Sequence, residues 1–321
     1  MTRLGARGWA TLICLLLLAV LPPLFLQFGQ AFYVDLATRL VILAIAAVAL
    51  NLILGYGGLV SFGHAAFIGI GAYAVGIPVY HNTYGGFDAI ASYNGLFHLA
   101  LAIGASALFA LITGAISLRT KGVYFIMITM AFAQMVFFFF QSINEYGGDD
   151  GLVIDIRSEL PLVSLDDPMQ LYFLSFGSLL AVMGMVHLFV NSRFGMVLQG
   201  AKGNPERMVA LGYNIYLYRL TAYVISGAIV GYAGFLLGNF TTFISPEMIY
   251  WTRSGELMFM VILGGAGSAL GPVLGSAVFI LLEEVLSSIT IFWHLPFGLL
   301  LIGVVLFARG GLMGMLKGKG G

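Results

Sequence analysis

The stretch AKGNPERMVALGYN, Ala201–Asn214, sets Lys202, Glu206 and Arg207 between two of the most apolar parts of the chain. Charges grouped this way suit polar contact with another protein at a water-facing surface. A second concentration of small and polar residues is GGLVSFGHAAFIGIGAY, Gly57–Tyr73. Ser61, Ala65 and Gly69 recur there every four residues, the spacing that shares one face of a helix. His64 lies among them and, with His187, is the kind of intramembrane group that could relay a proton. The same pattern suits a segment that lines or packs beside a passage, with His64 a hydrogen-bonding residue and not a charged relay. No phosphate loop, HExxH pair, metal-ligand cluster or G-x-S-x-G elbow occurs, so neither nucleotide hydrolysis nor an intramembrane active site is expected. Arg39, Glu256, Glu283 and Glu284 fall near the ends of apolar segments. The chain thus carries no visible energy source of its own. It is either a passive route, or a route whose energy comes from another subunit.

The elements that must position these residues are membrane spans. Of 321 residues, 60% are hydrophobic and 9% charged, against about 25% charged in soluble domains. Mean hydropathy is +1.00. The sequence predicts an all-α polytopic membrane protein, a single transmembrane domain over 1–321. Apolar segments long enough to cross a bilayer fall at 9–28, 36–54, 59–80, 95–117, 122–141, 170–190, 217–240, 255–266, 269–286 and 290–308. The eighth is short and runs into ILGGAGSALGP, Ile262–Pro272, so it reads as a broken or re-entrant helix. Nine and ten spans both stay open. The first segment, with Arg3 and Arg7 before it, resembles a signal peptide but lacks a small-residue cleavage site and is expected to be retained. The lone Cys14 excludes a disulfide within the chain and reads as a lipid-facing or packing residue. Zero net charge gives no bulk attraction to nucleic acid.

Charge placement orients the spans. With ten of them, Arg3 and Arg7, Arg119 and Lys121, the group Arg193, Lys202, Arg207 and Arg219, and the terminal Arg309, Lys317 and Lys319 fall on one side, the cytoplasm. The loop 142–169 falls on the other, carrying seven acidic residues against Arg157. Its GGDDG, Gly147–Gly151, has too few ligands for a calcium loop. Both termini are then expected in the cytoplasm. Glycines four apart, Gly227/Gly231, Gly234/Gly238 and Gly267/Gly271/Gly275, suit close helix packing in lipid. Within the cytoplasmic loop 191–216, Asn204 can cap and Pro205 open a helix of about two turns ending at Gly212.

Four stretches carry a family resemblance. Glu206 and Gly212 have the spacing of the E-A-A-x-x-x-G loop of ABC importer permeases, with Arg207 and Met208 in place of the alanines. Phe194–Leu236, the segment LNLILGYGGLVSFGHAAFIGIGAYAVG (Leu50–Gly76), RTKGVYFIMITMAFAQM with the later YGGDDGL, and MVILGGAGSALGPVLGSAVFILLEE (Met260–Glu284) resemble, in order, the branched-chain amino acid permease family of LivM/LivH type, and LivM more than LivH. The resemblance implies an ABC importer permease of a bacterial inner membrane. A second related permease would pair with the chain, two ATPase subunits would bind ATP in its place, and a periplasmic solute-binding protein would meet the acidic loop. No cofactor is expected in this chain. Glu206, Arg207, Met208, Val209, Leu211 and Gly212 would form the coupling helix, and Ser61, His64, Ala65 and Gly69 the translocation pathway. Branched-chain amino acids are the commonest substrates in the family, and relatives carry urea, amides and organic acids. A self-sufficient channel for a neutral solute such as urea, and a proton-coupled carrier using His64, stand as alternatives.

Overall fold

A computed structural model describes residues 6–161, 163–307 and 310–315. Arg3, Arg309, Lys317 and Lys319 of the charge-based orientation lie outside the described residues. The chain folds almost wholly into helices: α1 (Ala6–Gln27), α2 (Ala31–Asn51), α3 (His64–Tyr84), α4 (Gly95–Ser117), α5 (Val123–Gln141), α6 (Pro168–Asn191), α7 (Arg193–Gly203), α8 (Pro205–Ala210), α9 (Ile215–Thr241), α10 (Trp251–Gly264), α11 (Gly271–Ile289), α12 (His294–Phe307) and α13 (Gly311–Met315). A pair of two-residue strands, β1 (Leu152–Val153) and β2 (Phe243–Ile244), joins antiparallel. Strands this short leave no alternation long enough to read in the sequence. Six elements are long and apolar enough to cross a membrane: α2 with its extension, α4, α5, α6, α9 and α11. The protein is a multi-pass membrane protein.

The core follows from composition. From Leu40 to Leu50 α2 is apolar on every face and almost entirely buried, as such a stretch must be. It packs on α6, α9 and α11, while α3 packs between α4 and α9. α5 keeps only Phe125, Thr129 and Ala133 fully buried, packs Val136, Phe137 and Phe140 against the core, and leaves Tyr124, Met127, Met135, Phe138 and Phe139 outward. The glycine pairs act where the helices touch. A methyl group on Gly231 would strike Ser106 and the Ala102 carbonyl of α4, and one on Gly234 would strike the Ile68 carbonyl of α3. The third set is corrected. Gly267 lies in the turn between α10 and α11, so only Gly271 and Gly275 share a helix, and Gly275 lets α11 lie against the Met260 carbonyl.

Direct contacts separate the two ends of the bundle. At one end Lys202 donates to the Gly55 carbonyl at 2.6 Å, Tyr216 to the Ala115 carbonyl at 2.9 Å, and the α10–α11 turn meets Asn51. At the other end Tyr84 donates to Asp155, Glu159 N–H donates to the Tyr93 carbonyl, and β1 of the acidic loop pairs with β2. The segment read as the eighth span is irregular. α10 has 14 residues, about 21 Å at 1.5 Å per residue, too short for a hydrocarbon layer roughly 30 Å thick. A non-helical stretch from β2 through a short turn at Pro246–Ile249 completes it, with Ile249 against Gly69 in α3. Non-helical backbone at membrane depth is tolerated only under protein cover or beside a water-filled cavity.

Candidate functional site

Three places collect polar side chains. The first is the start of α3. Helical geometry begins only at His64, so Ser61 lies in the preceding loop and not on a face shared with Ala65 and Gly69, which corrects the sequence-based expectation. His64 is fully buried between the rings of Phe67 and Tyr223, both edge-on. Its Nδ1 lies 3.1 Å from Ser61 Oγ, and its Nε2 3.1 Å from Ser226 Oγ. Ser226 donates to the Ala49 carbonyl at 2.7 Å. Its oxygen must therefore accept from His64 Nε2–H, which leaves Nδ1 to accept from the Ser61 hydroxyl. This is a neutral imidazole with both nitrogens used. Ala65 N–H, one of the four orphan donors of a helix start, donates to Ser254 Oγ at 2.8 Å, and Ser254 donates to the Phe62 carbonyl at 2.7 Å. The node joins α2, α3, α9 and α10. Ser61, His64 and Ala65 meet there, and Gly69 lies one turn on, against Ile249.

The second is the end where α7 and α8 run. Asn204 accepts from Arg207 N–H at 2.9 Å, Pro205 opens α8, and Gly212 follows it at φ +86°. That is the left-handed conformation a glycine supplies at a helix end. Leu211 caps α8 and does not belong to it. The expected apolar trio divides. Met208 turns inward against Gly200 of α7, whereas Val209 and Leu211 are 61% and 63% exposed. Glu206 and Arg207 are exposed beside them. α7 went unread in the sequence because three glycines weaken its helical signal. It carries Lys202 to the end of α2, where residues 52–56 widen into a π-helical turn. Gly58, at φ +70°, makes room for the Lys202 side chain. Asn51 accepts from Gly267 N–H at 2.8 Å and donates to the Ser268 carbonyl at 2.9 Å.

The third was missed. Arg39, Glu256 and Glu283 are far from one another in sequence and near the ends of their apolar segments, yet they meet beside the first turns of α10. Arg39 holds both oxygens of Glu283, at 2.9 and 3.1 Å. Arg253 pairs with Glu256 at 2.9 Å. A cleft of about 730 Å³ opens beside them between α5, the 246–250 turn, α10, α11 and α12, with Gln134, Glu247 and His294 in its wall. The one signal for it was the short eighth segment. A short helix preceded by non-helical chain brings its first-turn charges in from the end of the bundle.

A family model described as a branched-chain amino acid transport system permease component matches residues 32–309. The chain is 27% identical over 332 residues to the high-affinity branched-chain amino acid transport system permease protein LivM of Salmonella typhimurium, covering 95% of this chain and 75% of that one. The LivM protein of Escherichia coli gives the same identity over 338 residues and the same coverage. A probable LivM permease of Methanocaldococcus jannaschii is 27% identical over 274 residues, 75% of this chain and 77% of its own. No solved structure gives a significant match.

Proposed function

This chain belongs to the branched-chain amino acid transport permease family, and from that premise we propose that it is the membrane-spanning subunit of an ATP-driven importer carrying branched-chain amino acids across a bacterial inner membrane. It pairs with a second related permease and two ATPase subunits, which bind the ATP, and receives its solute from a periplasmic binding protein at the acidic loop 142–169. Both termini then lie in the cytoplasm, with α7 and α8.

The observation that supports this most directly is α8. It is a capped helix of six residues with no buried side chain, far too short to persist alone in water, and it presents Val209 and Leu211 outward. Those two side chains, rimmed by Glu206 and Arg207 and followed by the Gly212 stop, form the coupling surface toward an ATPase, and Met208 fastens α8 to α7. The segment from Ser61 to Gly69 packs beside the passage. Its four named residues are closed in by neighbours, and His64 holds them in place as a neutral group. That favours the importer over a carrier driven by His64 protonation.

The test is the ATPase rate of the reconstituted complex with loaded binding protein, read with pull-down of the ATPase subunits. Val209→Pro should abolish stimulation, since an interior proline costs about 3 kcal/mol in a helix. Leu211→Ala should reduce stimulation more than Glu206→Ala, because a central apolar anchor outweighs a rim charge. Intact assembly and stimulation in Val209→Pro would remove α8 from the coupling role.

A further inference from the structure

The Arg253–Glu256 pair stands between two cavities. On its outer side lies the 730 Å³ cleft. On its inner side is a pocket of about 230 Å³ with a largely aliphatic wall, including Ile68, Leu237, Met248, Leu257 and Met260. Both residues line both spaces. The pair is 44% and 20% exposed, so water and solutes reach it from the cleft. One buried donor in the cleft wall, Gln134 Nε2, has no hydrogen-bond partner. Buried polar groups in native proteins are nearly always paired, so an orphan amide facing a cavity marks a place where a ligand atom completes the set.

We propose that this junction is a solute site in the passage, where the Arg253–Glu256 pair opens to take the carboxylate and ammonium of a zwitterionic amino acid whose aliphatic side chain enters the inner pocket. The assignment rests on the importer reading above and deepens it. Charged residues at membrane depth are costly and mark solute routes. A neutral solute such as urea needs no such charges. An organic dianion would face Glu247, Glu256 and Glu283 against Arg39 and Arg253, an acidic excess. A zwitterion matches a paired, mixed-sign site because each end replaces the partner the other end removes. Arg253 exchanges Glu256 for the solute carboxylate, Glu256 exchanges Arg253 for the ammonium, and no side chain is left uncompensated. Gln134 then donates to the carboxylate from across the cleft. The adjoining pocket is mostly aliphatic, with Arg39 and Thr241 also in its wall, which favours a hydrocarbon side chain by burying it, and its volume of about 230 Å³ leaves room for a branched one.

The experiment is uptake of radiolabelled leucine by the whole complex in proteoliposomes, with each variant's assembly read by pull-down of the ATPases. Arg253→Gln and Glu256→Gln should each assemble and lose at least tenfold in leucine uptake. Arg253→Lys should retain more than a third of it. Met248→Trp, which fills the inner pocket, should assemble and lose tenfold. Leucine uptake at the wild-type rate in assembled Arg253→Gln and Glu256→Gln complexes overturns the site. So does failure of both to assemble, which makes the pair structural, and so does an Arg253→Lys loss as deep as that of Arg253→Gln. A wild-type complex that assembles with no ATPase subunit, or takes up leucine without ATP, refutes the importer reading itself, a result distinct from all of these.

Discussion

The His64 node and the Arg253 cleft both hold polar groups at membrane depth, and they do so in opposite ways. At the node every donor meets an acceptor. His64 uses both nitrogens, Ser226 and Ser254 each give and receive, and no surface is exposed. In the cleft the charges are paired but reachable by water, Gln134 keeps an unused donor, and Glu247 has no ion-pair partner among the described residues. A closed set of hydrogen bonds specifies packing and has nothing left to offer a ligand. An incomplete set has capacity to spare. Polar type and depth alone do not tell the two apart, since a histidine and a Glu–Arg pair look equally out of place in an apolar sequence. The count of satisfied partners does.

The largest effect should come from charge reversal in the cleft. Arg253→Glu leaves Glu256 facing a like charge and removes the cation that takes the solute carboxylate in the proposed site. Leucine uptake should fall roughly hundredfold, with the thermal unfolding midpoint of the purified complex changed little. His64→Ala should do the reverse. It strands the Ser61 hydroxyl and opens a cavity, costing about 2–4 kcal/mol of stability, while transport per assembled complex stays within twofold. If uptake collapses in His64→Ala and stability holds, the node belongs to the passage and the contrast fails. Gly69→Ala should cost about 1–3 kcal/mol by overpacking, because a methyl group there runs into the Ile249 side chain. Ile249→Ala in the same chain should recover part of that loss, and additive losses in the double-mutant cycle would show that the two residues do not touch. The smallest effect should be Glu283→Gln. The Arg39–Glu283 pair is partly exposed and worth at most about 1 kcal/mol, so uptake should change less than threefold. A larger loss would extend the solute site from Arg253 to Arg39.

Much of this was legible in the sequence, for identifiable reasons. Hydropathy found the spans because a long helix in lipid has no alternative to apolar side chains. α8 was legible because Asn204, Pro205 and Gly212 each perform a local task that only a few residue types can do. The inward turn of Met208 was not legible, since it depends on Gly200 one helix away. The π-helical turn at 52–56 was hidden too. It is fixed by the long-range bonds of Asn51 and Lys202, and local propensity says nothing of those. The cleft stayed hidden because depth in the membrane was read from position within a segment. That rule holds for straight spans such as α4, and it fails for α10, whose first turn begins far below the bundle end.

The residues from Asn51 to Gly55 give one more consequence. Lys202 grips this stretch from α7, and the α10–α11 turn is hooked to it through Asn51. On the readings proposed above, the motor-side lever and the solute-bearing strut would be bolted to the same bracket, with the widened turn between the bolts. A stroke delivered to α8 would then have a direct route along α10 toward Arg253. With the Asn51 bolt removed, as in Asn51→Ala, the machine should idle: ATP is consumed, and leucine stays outside.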